Sequence, residues 1–287
     1  MKLGVSSYSL YRDIRDGRMT IVDAIRWIAS IGGEHVEIVP LGFDLIKEPA
    51  LVDAIVSAAA EAGIDISNYA VGGNFLAETQ AEYRERIAEA KAHVDVARRL
   101  GVKRMRHDVA WRPPEEATIL RFEEDLPALV AACREIADYA APYGITTSVE
   151  NHGYYVQAAD RVQRLVSEVG RSNFRTTLDV GNFMCVDEQP LVSVRKNISI
   201  ASMVHVKDFY LRPASSDLGE GWFRTSGGAY LRGAIAGHGD APLADILRVV
   251  KSSGYDGYVS IEFEGLEDCR LGTRLALERV RKLWDEA

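Results

Sequence analysis

The chain has 287 residues, 47% hydrophobic and 26% charged, a composition that excludes a disordered protein and supplies a sizeable core. Its formal net charge of −8 argues against nucleic acid as a partner, because phosphate binding needs a basic face. Three scattered cysteines, Cys133, Cys185 and Cys269, form no CxxC pair and fit a reducing, cytoplasmic setting better than a disulfide framework.

The first predicted strand is LGVSSYS (3–9). Arg12 and Asp13 follow before any signal-like apolar run develops, and no later stretch approaches the roughly 18 apolar residues of a membrane span, so neither a leader nor a membrane partner is predicted. A helical pattern over 20–32 precedes the second strand, HVEIVP (35–40). The alternation continues with helix 50–63, strand DISNYAVG (65–72), helix 82–101, strand VKRMRHDV (102–109) and helix 122–144. The second half repeats it: strand ITTSVENH (145–152), helix 159–170, strand RTTLDVGN (175–182), a weak helix over 190–197, strand ASMVHVKDF (201–209), helix 242–254, strand YVSIEFEG (258–265) and helix 269–286. Several helices close on glycine, at Gly32, Gly63, Gly101, Gly144 and Gly254.

Strict strand-helix alternation predicts a parallel sheet, and eight units in this length predict that it closes into a single (β/α)8 TIM barrel over residues 1–287. The rival, an open doubly wound sheet, lacks the GxGxxG turn after strand one. One long loop, 211–241, follows strand seven on the end of the barrel that carries chemistry. Trp222, Phe223 and Tyr230 give it something to pack, and a lid is expected.

Strands five to eight each change from a buried run to a chemical group at a comparable late position: Glu150, Asp179, His205 and Glu262. Intervals of 29, 26 and 57 residues correspond to one unit, one unit, and one unit plus the long loop. Taken singly, such a carboxylate is more often a cap and such a histidine a core residue. Four on successive strands of a parallel barrel are neighbours in space, and three carboxylates there repel unless a cation intervenes. One divalent metal ion is therefore expected. Three oxygen donors and one imidazole favour Mn²⁺, with Mg²⁺, Co²⁺ or Zn²⁺ as alternatives.

The motifs VENHG, LDVGN, HVKD and GYVSIEFEG resemble the xylose isomerase-like barrel superfamily, which includes sugar epimerases and isomerases, hydroxypyruvate isomerases, inosose dehydratases and abasic-site endonucleases. The resemblance spans essentially the whole chain. It implies that Glu150, Asp179, His205 and Glu262 hold one metal, and it departs from the ketose epimerases at Asn182, where those enzymes tend to place a substrate-contacting histidine.

His152, Lys207 and Glu264 lie two residues beyond proposed ligands and would face the same way if the strands continued. With Asn182, the loop residues His238 and Arg232, and His107 and Trp111 at the end of strand four, they are candidate substrate contacts. Tyr8, Glu37 and Asn74, near the ends of the first three strands, are weaker ones. Chelation of a carbonyl and its neighbouring hydroxyl acidifies the intervening C–H, and Glu150 and Glu262 would be the catalytic pair that moves the proton. The expected function is isomerisation or epimerisation of a ketose or keto-polyol. Loss of a β-substituent from the same enediolate would make the protein a lyase of the inosose dehydratase or 3-keto-glycoside deglycosidase type. A non-catalytic sugar-binding barrel is the rival from another class. The partner expected is a small sugar, and a homo-oligomer is compatible with this reading.

Overall fold

A computed structural model describes residues 1–287. In chain order the strands are β1 (Lys2–Ser6), β2 (His35–Ile38), β3 (Asp65–Val71), β4 (Arg104–His107), β5 (Thr146–Glu150), β6 (Phe174–Asp179) and β7 (Ala201–Val206). Three more, β8 (Asp208–Arg212), β9 (Phe223–Arg224) and β10 (Tyr230–Ala234), precede β11 (Tyr258–Ile261). β1 to β7 and β11 form a closed parallel barrel, β11 sealing it between β7 and β1, so the strand-helix alternation yields the expected (β/α)8 TIM barrel.

Local chemistry sets the helices. α1 (Tyr11–Arg15) is one short turn. α2 (Ile21–Ser30) starts on a Thr20–Asp23 capping box and buries Ile21, Ala24, Ile25 and Ile28 along one face. α3 (Pro49–Ala62) opens on a proline, and α4 (Gln80–Leu100) and α5 (Ile119–Ala140) open on Thr79 and Thr118, whose hydroxyls accept from backbone amides. α6 (Ala159–Val169), α7 (Pro190–Asn197), α8 (Leu243–Ser252) and α9 (Cys269–Asp285) complete the outer ring, and no helix is long and apolar enough to cross a membrane. The strand alternation sends Val36, Ile38, Val149, Leu178, Val204, Val206, Val259 and Ile261 into the apolar core under these helices. Their strand neighbours Glu37, Glu150, Asp179, His205 and Glu262 are left facing the barrel axis.

Two expectations change. Strand seven does not run through to residue 209: the chain leaves the barrel at Lys207 and continues as β8, an edge strand of a separate three-stranded sheet. The Asp208 carboxylate turns it, accepting from Phe209 N (2.9 Å), Gly237 N (2.9 Å), Gly239 N (2.9 Å) and Ala241 N (3.1 Å). And 211–241 is not an irregular loop. It contains most of an antiparallel sheet in the order β8-β10-β9, with Arg232 opposite Tyr210 and Leu231 opposite both Leu211 and Phe223. Gly233 lets this sheet lie on the backbone after β11, since a Cβ there would stand 2.5 Å from Glu264 O.

The sheet's far end lands on the loops after β5 and β6. Tyr154 Oη donates to Arg224 O (2.9 Å), Ser226 N donates to Cys185 O (2.9 Å), and Gly227 N donates to Asp187 Oδ2 (2.5 Å). Tyr154 and Asp187 are the two non-glycine residues with positive φ, 67° and 59°. Such backbone is unfavourable unless its surroundings hold it, and here both residues are landing points of the three-stranded sheet.

Candidate functional site

Glu150 ends β5, Asp179 ends β6, His205 is the penultimate residue of β7 and Glu262 follows β11, its amide still donating to Val206 O (3.1 Å). One ligand atom from each lies within 4.8 Å of all the others, and all four residues are buried. Close packing of the β6 and β7 ends makes this convergence possible: a Cβ on Gly181 would stand 2.6 Å from Lys207 O.

Three of the four are held from behind. Asp179 Oδ1 accepts from Gly181 N (2.8 Å) and Asn182 N (2.9 Å), while Asn151 brackets the Asp179 backbone by accepting from its N–H (2.9 Å) and donating to its carbonyl (2.8 Å). Glu150 accepts from Arg106 Nε at Oε2 (2.7 Å) and from Asn182 Nδ2 at Oε1 (3.1 Å). His205 Nε2 donates to Glu37 Oε1 (2.9 Å), and Glu37 Oε1 accepts from Asn68 Nδ2 (2.7 Å).

The donor set fits a divalent cation. Asp179 Oδ2 and His205 Nδ1 are buried with no hydrogen-bond partner, and His205 Nδ1 lies 3.7 Å from Glu150 Oε2 and 3.8 Å from Glu262 Oε2. A cation among them would engage both orphaned atoms and relieve the repulsion of three carboxylates. Burial pushes the Asp179 pKa up to about 7, Lys207 opposing and Glu150 and Glu262 adding. Burial also opposes ionisation of Glu150, but Arg106 and then His205 overcome it and hold this carboxyl well below its ordinary range.

Lys207 is buried beside the quartet, its Nζ 2.8 Å from Glu262, 3.2 Å from Glu264 and 3.7 Å from Asp179, above the Tyr8 ring at 5.6 Å. Burial disfavours its charge, yet Glu262, Glu264 and Asp179 together raise its pKa well above the ordinary value. His152 stands at the mouth, half exposed, with Nδ1 3.4 Å from Asp108 Oδ1. Burial lowers its pKa and the Asp108 contact more than offsets that, so the net shift is upward. The Cys185 thiol belongs to the same wall: burial pushes its pKa up to about 12, Lys207 opposing and Glu264 and Asp179 adding.

Other candidates lie elsewhere. His107 is fully buried between Phe75 and Phe174, on the helix-facing side of β4, and burial lowers its pKa to about 4. Trp111 is exposed on the loop after β4. Arg232 stacks on Tyr210 (5.0 Å) and Trp222 (4.9 Å), on the sheet face opposite buried Leu231. His238 is exposed, in the turn whose glycine amides bind Asp208. Asn74 Oδ1 accepts from Leu76 N (3.2 Å) and Trp111 N (3.4 Å), shaping its own loop. None of these five touches the quartet.

Residues 25–283 match a family described as the xylose isomerase-like TIM barrel. The chain belongs to this family. An inosose isomerase from Halalkalibacterium halodurans is 25% identical over 205 residues, 70% of this chain and 67% of that protein. A probable 3-DHS dehydratase involved in petrobactin synthesis, from Bacillus anthracis, superposes with a TM-score of 0.75 at 14% identity, covering 98% of this chain and 99% of that one. D-allulose 3-epimerase from Methylomonas sp. superposes with a TM-score of 0.74 at 18% identity, covering 99% and 98%. The named relatives are enzymes, and the likeness to the two solved structures is one of fold.

Within this xylose isomerase-like barrel the sequence reading passed over Arg106 and Asp108. Arg106 donates to Glu150 and, through Nη1, to Val71 O (2.9 Å), with Nη1 3.4 Å from Asp108 Oδ2. A signal was present: RMRH carries charges at 104 and 106, alternate positions of one strand, and alternation places both on the axis side while His107 turns outward.

Proposed function

We propose that this protein is a divalent-metal-dependent isomerase or epimerase of an uncharged ketose or keto-polyol. The observation that carries this reading is the pairing of two buried glutamates, on β5 and after β11, across one metal-binding quartet. Glu150, Asp179, His205 and Glu262 would hold the cation, Mn²⁺ in this reading, which would supply the positive charge that makes the C–H beside a substrate carbonyl more acidic. Glu150 or Glu262 removes that proton as a carboxylate, and the other returns a proton to the neighbouring carbon or the opposite face, leaving no net change in oxidation state. Asn182 and Arg106 fix the Glu150 oxygens, and Lys207 fixes Glu262. The lid sheet excludes water from the reacting carbons. The three buried, unpaired cysteines support a cytoplasmic location.

The charge pattern favours a neutral substrate. Arg106 is committed to Glu150 and Asp108, Lys207 to Glu262, Glu264 and Asp179, and His152 to Asp108. A phosphate would have to displace one of these ion pairs to find a cation.

The His152–Asp108 pair favours a second reading, in which the same first proton transfer is followed by elimination. An imidazole at the mouth can give its proton to a departing β-hydroxyl, which leaves as water while the enediolate electrons form the new double bond.

The test is solvent-deuterium wash-in by Mn²⁺-loaded protein, followed by NMR, over ketoses, 3-keto sugars and inososes and their phosphorylated counterparts. Exchange at a carbon beside the carbonyl of at least one neutral probe is expected, with none for the phosphorylated set. Loss of a β-hydroxyl would select the lyase reading. Absence of exchange and of elimination with every neutral probe would reject both.

A further inference from the structure

Lys207 reaches the oxygens on which the quartet depends. Asp179 Oδ1 is taken by the amides of Gly181 and Asn182, which leaves Oδ2, and Lys207 Nζ lies 3.7 Å from that atom. The same Nζ lies 2.8 Å from Glu262 Oε2, the oxygen that stands 3.8 Å from His205 Nδ1. An ammonium in this position and a divalent cation in the quartet draw on the same two carboxylates and repel each other.

The Lys207 backbone cannot withdraw to relieve that conflict. A Cβ on Gly181 would stand 2.6 Å from Lys207 O, so the two chains are in close contact, and the next residue is Asp208, whose carboxylate gathers four backbone amides. Only the side chain is free to adjust, and a third carboxylate is within its reach: Glu264 Oε2 lies 3.2 Å from Nζ. Glu264 stands outside the quartet, its side chain 22% exposed against 6% for Glu262 and 0% for Asp179. Its backbone is fixed by the close approach of Gly233 in β10. A carboxylate so placed can pair with the ammonium without being a ligand of the ion.

We infer that Lys207 and Glu264 together set the metal affinity of the site: the Lys207 ammonium competes with the divalent ion for Glu262 and Asp179, and Glu264 is a positioning residue that draws the ammonium away from them. The inference rests on the metal quartet of the reading above and holds for either sugar reaction.

The experiment is calorimetric titration of Mn²⁺ into wild type, Glu264→Gln, Lys207→Met and the double variant, with circular dichroism in parallel and Lys207→Gln as a second replacement should Lys207→Met not fold. Glu264→Gln is expected to weaken Mn²⁺ binding about tenfold and Lys207→Met to tighten it about tenfold. Because Glu264 acts through Lys207, adding Glu264→Gln to the Lys207 variant is expected to change the affinity by less than about threefold. Equal affinity in wild type and Glu264→Gln would overturn the inference, as would unchanged or weaker binding in the Lys207 variant. An equal loss from Glu264→Gln in both backgrounds would overturn it too, by showing that Glu264 acts on the ion directly. Each of these results leaves the quartet intact. No Mn²⁺ binding by wild type would overturn the inference together with the metal site it rests on.

Discussion

Glu37 Oε1 lies 2.9 Å from His205 Nε2, and both side chains are completely buried. This contact fixes which ring nitrogen carries the proton and leaves Nδ1 facing Glu150 and Glu262. Burial opposes the ionisation of Glu37, but His205 and Asn68 hold its carboxyl below the ordinary range, so it remains a carboxylate at neutral pH. Residues in this supporting position typically change metal affinity 10–100-fold. Glu37→Gln keeps the shape and loses the charge, so its affinity for Mn²⁺ is expected to fall by about that factor with the fold unchanged. Titration calorimetry beside circular dichroism measures both, and equal affinity would remove Glu37 from the metal site.

Loss of a ligand and loss of a base should separate. Asp179→Asn and His205→Ala are expected to lower metal content without unfolding the barrel. Glu150→Gln and Glu262→Gln, assayed fully loaded with Mn²⁺, are expected to lose about 10²–10⁴-fold in turnover, with only one of them abolishing deuterium wash-in from a given substrate. Near-normal turnover in both would move the proton-transfer role elsewhere, with His152 the first residue to examine.

Arg106 is the strongest structural dependency of the site. It pairs with Glu150 at 2.7 Å and lies 3.4 Å from Asp108, and it is itself 9% exposed. Arg106→Met leaves buried Glu150 without its closest cationic partner, and breaking a buried pair in this way costs about 3–5 kcal/mol. A large fall in Tm is expected for the metal-free protein, only partly recovered in Arg106→Lys because an ammonium cannot reproduce the planar contact. A metal-free Arg106→Met protein as stable as wild type would show that the clamp is dispensable.

Acid should destabilise the fold through two core histidines. His35 and His107 are buried and neutral, each with a pKa lowered by burial from 6.5 to about 4. The unfolded chain therefore binds protons that the folded one refuses between pH 6.5 and 4. Stability from this source is complete above pH 6.5 and declines as pH falls toward 4, by up to about 1.4 kcal/mol per pH unit for each residue. Urea unfolding across that window should show a shallower decline in His107→Leu than in wild type. Parallel slopes would mean that His107 is not held neutral.

The eight strand-helix units, the closed barrel and the four residues that converge on its axis are legible in the amino-acid sequence. Those features depend on local periodicity and on the common direction of parallel strands, both written in short stretches such as VENHG and HVKD. Which neighbours of the quartet face it depends on the folded arrangement. A one-residue change of parity separates Arg106, which clamps Glu150, from His107, which packs under the helices, and strand sequence alone marks the parity weakly where both faces are buried. The folded arrangement also decides the fate of residues 211–241. Their pairing into β8-β10-β9 depends on the four amides gathered by Asp208 and on the close approach at Gly233, contacts between residues up to 33 positions apart that no local pattern encodes.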